Sequence, residues 1–180
     1  MLERVLLEIR TGCRLHFGLM ELADGEPLRF GGLGLMLDQP HWKLRLQHSE
    51  TLQVTAATSR PHDELFSRIR KVLQATPDAR RTTAKSDCPP PTVSVEVLEQ
   101  LPMHSGLGAG TQLACAVAAG RLLADRLRGG QLQPVAEWTP IRDALPDIGA
   151  QELAASSGRG LRSGVGLRGF LDGGFILDQT

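Results

Sequence analysis

Apolar and polar side chains alternate with a period of two at Val5, Leu7 and Ile9, at Trp42, Leu44 and Leu46, and at Val93, Val95 and Val97. Successive strand residues point to opposite faces, so each run predicts a strand with one buried face. A helical period takes over from Leu113, where Ala116, Val117, Gly120, Leu123, Ala124 and Leu127 share a face and Gly129-Gly130 supplies a stop. A second helix is expected from about Asp63 to Leu73, with Leu65, Ile69, Val72 and Leu73 on one face behind Pro61, and a third over Ile148 to Ser156. Near the end, Phe170-Leu171 and Phe175-Ile176-Leu177 flank Asp172-Gly173-Gly174. Glycines tolerate positive φ, so this pattern predicts a β-hairpin.

Strands and helices interleave without regular βαβ units, which favours an α+β domain, a mixed sheet packed against helices, over a doubly wound sheet. Residues 1–180 read as one domain without internal repeats. Between Thr76 and Pro91 lie three consecutive prolines among charged and small polar residues, so a mobile surface loop is expected over 76–91. The sequence stops just after its last predicted strand, at Asp178-Gln179-Thr180. No closing helix follows, which suggests a missing partner domain.

Composition narrows the chemistry. The 180 residues are 41% hydrophobic and 22% charged, as in an ordinary globular domain. Lys plus Arg and Asp plus Glu each number 20, so long-range attraction to nucleic acid or an anionic membrane is not expected and any anion site must be local. Cys13, Cys88 and Cys115 form no C-x-x-C pair, which argues against a disulfide framework or structural zinc and fits a reducing cytoplasm. Glu3, Arg4, Glu8 and Arg10 charge the N-terminus, and no apolar run approaches the roughly 18 residues of a membrane span.

The segment Leu101-Pro102-Met103-His104-Ser105-Gly106-Leu107-Gly108-Ala109-Gly110-Thr111-Gln112 joins the third strand run to the strongest helix. Amides at a helix start, backed by the positive end of its dipole, attract phosphate, and glycines let the ligand reach the backbone. The segment is neither a Walker A loop, since no Gly-Lys-Ser/Thr follows, nor the dinucleotide G-x-G-x-x-G, since Thr111 holds the last glycine position. The alternative is a tight turn in which Thr111 caps the helix.

A second glycine-rich stretch, Ser157-Gly158-Arg159-Gly160-Leu161-Arg162-Ser163-Gly164-Val165-Gly166, carries two arginines, and Arg168 follows. The planar guanidinium fork matches phosphate and carboxylate oxygens; solvated loop arginines are the alternative. Arg14 and His16 stand two apart on a predicted strand, so they share a face, as would two groups gripping one anion; a surface arginine and a hydrogen-bonded structural histidine are the alternative. His104 and Ser105 either donate hydrogen bonds to a ligand or complete the turn. Asp38, Asp87, Asp172 and Asp178 show no spacing of an oxygen cage for a metal ion.

At Pro102, Gly106, Leu107 and Gly108 the sequence resembles the phosphate loop of the GHMP kinase superfamily, P-x-x-x-G-L-G-S-S-A, with Ala109-Gly110-Thr111 in place of Ser-Ser-Ala. Ser163-Gly164 matches the superfamily's P-S-G-x-D stretch, and its catalytic aspartate falls on Gly166. Both departures oppose an ATP kinase. Arg14-Leu15-His16-Phe17-Gly18-Leu19 and Arg29-Phe30-Gly31-Gly32-Leu33-Gly34 complete a set of motifs that, across residues 4–178, resembles the β-ribofuranosylaminobenzene 5'-phosphate synthase family.

The resemblance implies the GHMP N-terminal domain fold, of the ribosomal protein S5 domain 2-like type, with the family's C-terminal domain absent. It implies a pentosyltransferase that condenses 4-aminobenzoate, or a related hydroxybenzoate, with 5-phosphoribosyl 1-diphosphate. Carbon dioxide and diphosphate would be released, in tetrahydromethanopterin biosynthesis. Ser105, Gly106, Gly108, Gly110, Thr111 and Gln112 would bind phosphate; Arg159, Arg162 and Ser163 would be catalytic; Arg14, His16, Arg29 and His104 would hold substrate. Magnesium would enter on the substrate diphosphate, with no organic cofactor, and a homodimer is compatible with the family. The competing expectations are a GHMP-type small-molecule kinase using ATP and a non-catalytic phosphate-ligand-binding fragment.

Overall fold

The three alternating runs belong to one sheet, but two of them are parts of much longer strands. A computed structural model describes residues 5–21, 30–57, 63–75, 93–128, 139, 141–144, 148–160 and 164–178. Strand β1 spans Val5–Glu21 and β2 spans Phe30–His48; β3 (Val54–Ala56), helix α1 (Asp63–Ala75) and β4 (Val93–Glu99) follow. Then come α2 (Ala109–Arg128), α3 (Ile141–Ala144), α4 (Ala150–Ser157), α5 (Val165–Asp172) and β5 (Phe175–Asp178). The expected loop at 76–91 lies outside the described residues, as does Cys88.

Strand β2 is the spine of the sheet. It pairs antiparallel with β1 along one edge, while its other edge pairs with β5 through Gly32–Leu35 and with β4 through Lys43–His48. β3 lies parallel to β4 at the far side, with α1 as the crossover between them. The sheet is therefore mixed and the domain α+β, as its pattern of elements predicts.

The sequence shows only the first part of β1 because the ladder is irregular. Its register shifts between Thr11 and Cys13 and again between His16 and Gly18, and each shift breaks the period of two. Gly12 permits the first irregularity, since a side chain there would run into the carbonyl of Leu37. In β2 the strand is hidden by Gly31, Gly32, Gly34 and Pro40, residues that ordinarily interrupt strands. The Gln39–Pro40 peptide is cis.

The expected hairpin after Leu167 is instead a helix, a turn and a strand. α5 runs through Phe170 to Asp172, and Gly173 and Gly174, both at positive φ, lead into β5. Gly166 and Gly169 read as turn residues, yet they let α5 sit close against its neighbours: a side chain on Gly169 would lie 2.5 Å from the sulfur of Met36. Packing here overrides weak helix propensity.

Helix α2 packs on β1 and β2, with Gly120 admitting Ile9 and Leu46 against its backbone. Trp42, Leu44 and Leu46 of β2, Val93 and Val95 of β4, Ile69 of α1 and Val117 and Leu122 of α2 are buried in one core. Burial of each such side chain contributes on the order of 1.5–3 kcal/mol. Among the described residues no helix is long and apolar enough to cross a membrane.

Candidate functional site

The glycine turn after β4 is held by two hydrogen bonds from strands. Leu101 is fully buried, after which His104, Gly106 and Gly108 take positive φ values of 60, 76 and 69°. The backbone N–H of Arg14 donates to Leu107 O at 2.9 Å, and Trp42 Nε1 donates to Ala109 O at 3.0 Å. β1 and β2 thereby fix where α2 begins. The carbonyl of Gly108 accepts the N–H groups of Thr111 and Gln112 at 3.0 and 3.1 Å, so the helix starts before Thr111. Thr111 is a first-turn residue and not the cap considered in the alternative reading. Ser105 Oγ donates to Pro102 O at 2.9 Å and closes the turn, and His104 is exposed.

Arg14 joins the two glycine-rich motifs. A side-chain carbon built on Gly108 would lie 3.2 Å from Arg14 Nε, and one on Gly166 would lie 2.6 Å from Arg14 Nη1 and 2.7 Å from Thr111 Cγ2. A side chain at either glycine would crowd the guanidinium between them, and Gly108 in addition takes a positive φ. Arg14 Nε is buried without a hydrogen-bond acceptor among the described residues. Burial lowers the pKa of Arg14, partly opposed by Cys115. His16 stands two residues along the same strand, and its pKa is lowered by burial and then by the charge of Arg14. This is a cationic corner with an unused donor.

Gln112 has a different role from the phosphate ligand expected of it. It is fully buried, its Nε2 donates to Gly166 O at 2.9 Å, and its Oε1 accepts from Thr11 Oγ1 at 2.8 Å. Both ends of the amide are used in tying β1, α2 and α5 together, so its side chain positions the site and does not face a ligand.

Two further arginines approach α2 from the other side. Arg68 Nη1 and Arg159 Nη2 lie 3.3 and 3.8 Å from the position of a side-chain carbon on Gly110. Arg159 follows Gly158, whose left-handed conformation ends α4. Arg68 was not legible as a site residue, because its i,i+4 pair with Glu64 at 2.7 Å is the signature of an ordinary helix surface. Cys115, buried nearby, has its thiol pushed up to about 12 by burial, against the opposing effects of Ser157, Arg159 and Arg14. It therefore remains a neutral thiol at neutral pH.

Arg29, Arg162 and Ser163 lie outside the described residues. Asp178 accepts the N–H of Gly164 at 2.6 Å and so anchors the start of α5. Among the described residues no three His, Cys, Asp or Glu side chains gather as a metal site. The first-turn amides of a helix lack intrahelical partners and carry positive potential. Here they are flanked on the α5 side by Arg14, an arrangement suited to stabilising charge that develops on a phosphate leaving group, while Arg68 and Arg159 stand apart on the α1 side.

No family model matches the chain. The phosphomevalonate kinase of Streptococcus pneumoniae superposes with a TM-score of 0.58 at 15% identity, over 98% of this chain and 49% of that one. A sugar kinase of Campylobacter jejuni, described as putative, superposes with a TM-score of 0.52 at 14% identity, over 94% and 53%. The fold is that of the GHMP kinases. By sequence, the chain is 36% identical over 173 residues to the β-ribofuranosylphenol 5'-phosphate synthase of Methanothermobacter thermautotrophicus, and 27% identical over 173 residues to that of Methanocaldococcus jannaschii. These alignments take in 96% and 94% of the chain but 45% and 46% of the relatives, so the chain spans about half the length of the curated relatives it matches.

Proposed function

The chain is a relative of the β-ribofuranosylphenol 5'-phosphate synthases on the GHMP kinase fold, and on that premise we propose that it forms the phosphate-binding half of a pentosyltransferase. The reaction joins an aromatic acid to 5-phosphoribosyl 1-diphosphate and releases carbon dioxide and diphosphate, in tetrahydromethanopterin biosynthesis. The relatives' name carries a phenol, so of the two arenes that the sequence resemblance allowed, the hydroxybenzoate is the preferred acceptor. The setting is the cytoplasm.

One observation carries the reading. Where the motif resemblance puts a kinase's aspartate, this chain has Gly166, and the guanidinium of Arg14 occupies the space its side chain would need. A cation there does not serve as a base for phosphoryl transfer, but it stabilises a departing anion.

In the proposed reaction the C1–O bond to diphosphate breaks, the electron pair leaving with the oxygen, and C1 becomes oxocarbenium-like. The ring carbon bearing the carboxylate attacks C1. Loss of carbon dioxide returns the electron pair of the broken C–C bond to the ring and restores its aromaticity. The amides of Gly108 and Gly110 at the start of α2, with Thr111 and Arg14 beside them, hold phosphate and the leaving group, and His16 stands next to Arg14. Arg29, His104, Arg159, Arg162 and Ser163 keep their proposed roles in gripping the two substrates. Holding both reactants in line supplies much of the acceleration. Magnesium would supply charge neutralisation on the diphosphate oxygens; with no protein cage among the described residues, the ion would enter with that substrate.

The test is calorimetric titration of 5-phosphoribosyl 1-diphosphate and, separately, ATP with magnesium, followed by a carbon dioxide release assay with 4-hydroxybenzoate. Selective binding of the former is expected. Selective ATP binding would return the chain to the kinases.

A further inference from the structure

A cavity of about 250 Å³ opens between α1, α2 and the end of α4, on the α1 side of the glycine turn. Val72 on α1 and Leu113 and Ala114 on α2 give it an apolar wall, and Arg68, Lys71 and Arg159 line it with positive charge. Arg68 and Arg159 come from elements far apart in sequence, yet both guanidiniums reach the same point beside Gly110. Like charges gathered at one place repel. Glu64 bonds Arg68, whereas among the described residues no carboxylate lies within ion-pair distance of Arg159. An anion seated between the two forks would relieve this repulsion and satisfy their donors.

Arg14 does not take part in this seat. It lies against Gly108 and Gly166, on the α5 side, whereas Gly110 turns toward α1 and α4. The two sides differ in character as well. The α5 side is a corner of backbone amides and one guanidinium, while the α1 side combines charge with an apolar wall.

We propose that this cavity binds a small organic anion built on one flat apolar ring. Arg68 and Arg159 grip the anionic head, and Val72, Leu113 and Ala114 face the ring. The volume agrees, since a void of roughly 150 Å³ already holds a benzene ring, and 250 Å³ leaves room for a carboxylate beside it. The assignment rests on the synthase reading and deepens it: the ring-bearing reactant enters from the α1 side, leaving the glycine turn and Arg14 to the diphosphate.

Benzoate and inorganic pyrophosphate, titrated separately into the wild-type chain and into Arg68→Gln and Arg159→Gln, test the assignment, with circular dichroism verifying that each variant is folded. Each substitution is expected to weaken benzoate by about tenfold or more, the scale of one charge-assisted hydrogen bond. Arg68→Gln should leave pyrophosphate affinity within about threefold, less than one such bond, and saturating pyrophosphate should not displace benzoate. Unchanged benzoate affinity in both variants, or displacement by pyrophosphate, overturns the inference. Wild-type protein that binds pyrophosphate but not benzoate overturns it while leaving the phosphate site standing. Binding of neither benzoate nor 5-phosphoribosyl 1-diphosphate removes the synthase reading as well.

Discussion

Arg14 Nη1 lies 2.6 Å from where the first side-chain carbon of Gly166 would stand, and Thr111 Cγ2 lies 2.7 Å from it, so a side chain at 166 would force the guanidinium or Thr111 to move. The pair connects residues 152 positions apart, the difference between their two numbers.

Gly166→Asp is accordingly expected to destabilise the fold by about 1–3 kcal/mol, the usual cost of overpacking a filled interior. Urea unfolding measures this. ATP affinity should not rise, and a variant that gained ATP binding without losing stability would show the space to be open.

Arg14→Lys keeps the charge but loses the planar fork whose Nε now lacks an acceptor. Diphosphate binding should weaken by about tenfold or more, because an ammonium does not reproduce two parallel donors. Titration with pyrophosphate reads the change; equal affinity in the two proteins would exclude the guanidinium as a ligand.

Gln112→Leu removes both hydrogen bonds that join Thr11, α2 and the Gly166 carbonyl. Leaving those buried groups unpaired should cost about 1–3 kcal/mol. Adding Thr11→Val should cost less than its effect alone, since its partner is already gone. Strict additivity in denaturant unfolding would mean that Thr11 and Gln112 do not act together.

The Cys115 thiol gives a pH signature. Its folded pKa is raised from 9.0 to about 12 by burial. The sign follows directly: the stability associated with the protonated thiol is fully present below the unfolded pKa, and is lost as pH rises from there toward the folded value. Unfolding free energy should therefore fall above about pH 9, by at most about 1.4 kcal/mol per pH unit for one group. Cys115→Ala should flatten that part of the profile, and an unchanged slope would assign it to other groups.

Most of the central architecture was legible locally. The alternating runs marked the middle of the sheet, the Leu113–Leu127 pattern marked α2, and the Leu65–Leu73 pattern marked α1. These signals survive in sequence because burial acts on side chains at a fixed structural period. The glycine turn was equally readable, since its place between a strand and a helix already implies free amides. The far parts of β1 and β2 were not, because Gly12, Gly34 and Pro40 are ordinarily strand breakers. α5 was missed for a related reason, as Gly166 and Gly169 look like turn residues until Arg14 and Met36 are seen against them.

The candidate site divides in the same way. The sequence by itself determined which residue types are present: a phosphate-compatible turn, two arginine-bearing motifs, and a glycine where the kinases carry an aspartate. Tertiary structure alone decided that Arg14 fills the space beside that glycine, that Gln112 is spent on internal bonds, and that Arg68 meets Arg159 at Gly110. Those relationships depend on how β1, α1 and the α4 terminus pack around α2. Local periodicity encodes which face of an element is buried, but not which distant side chain arrives on the other side.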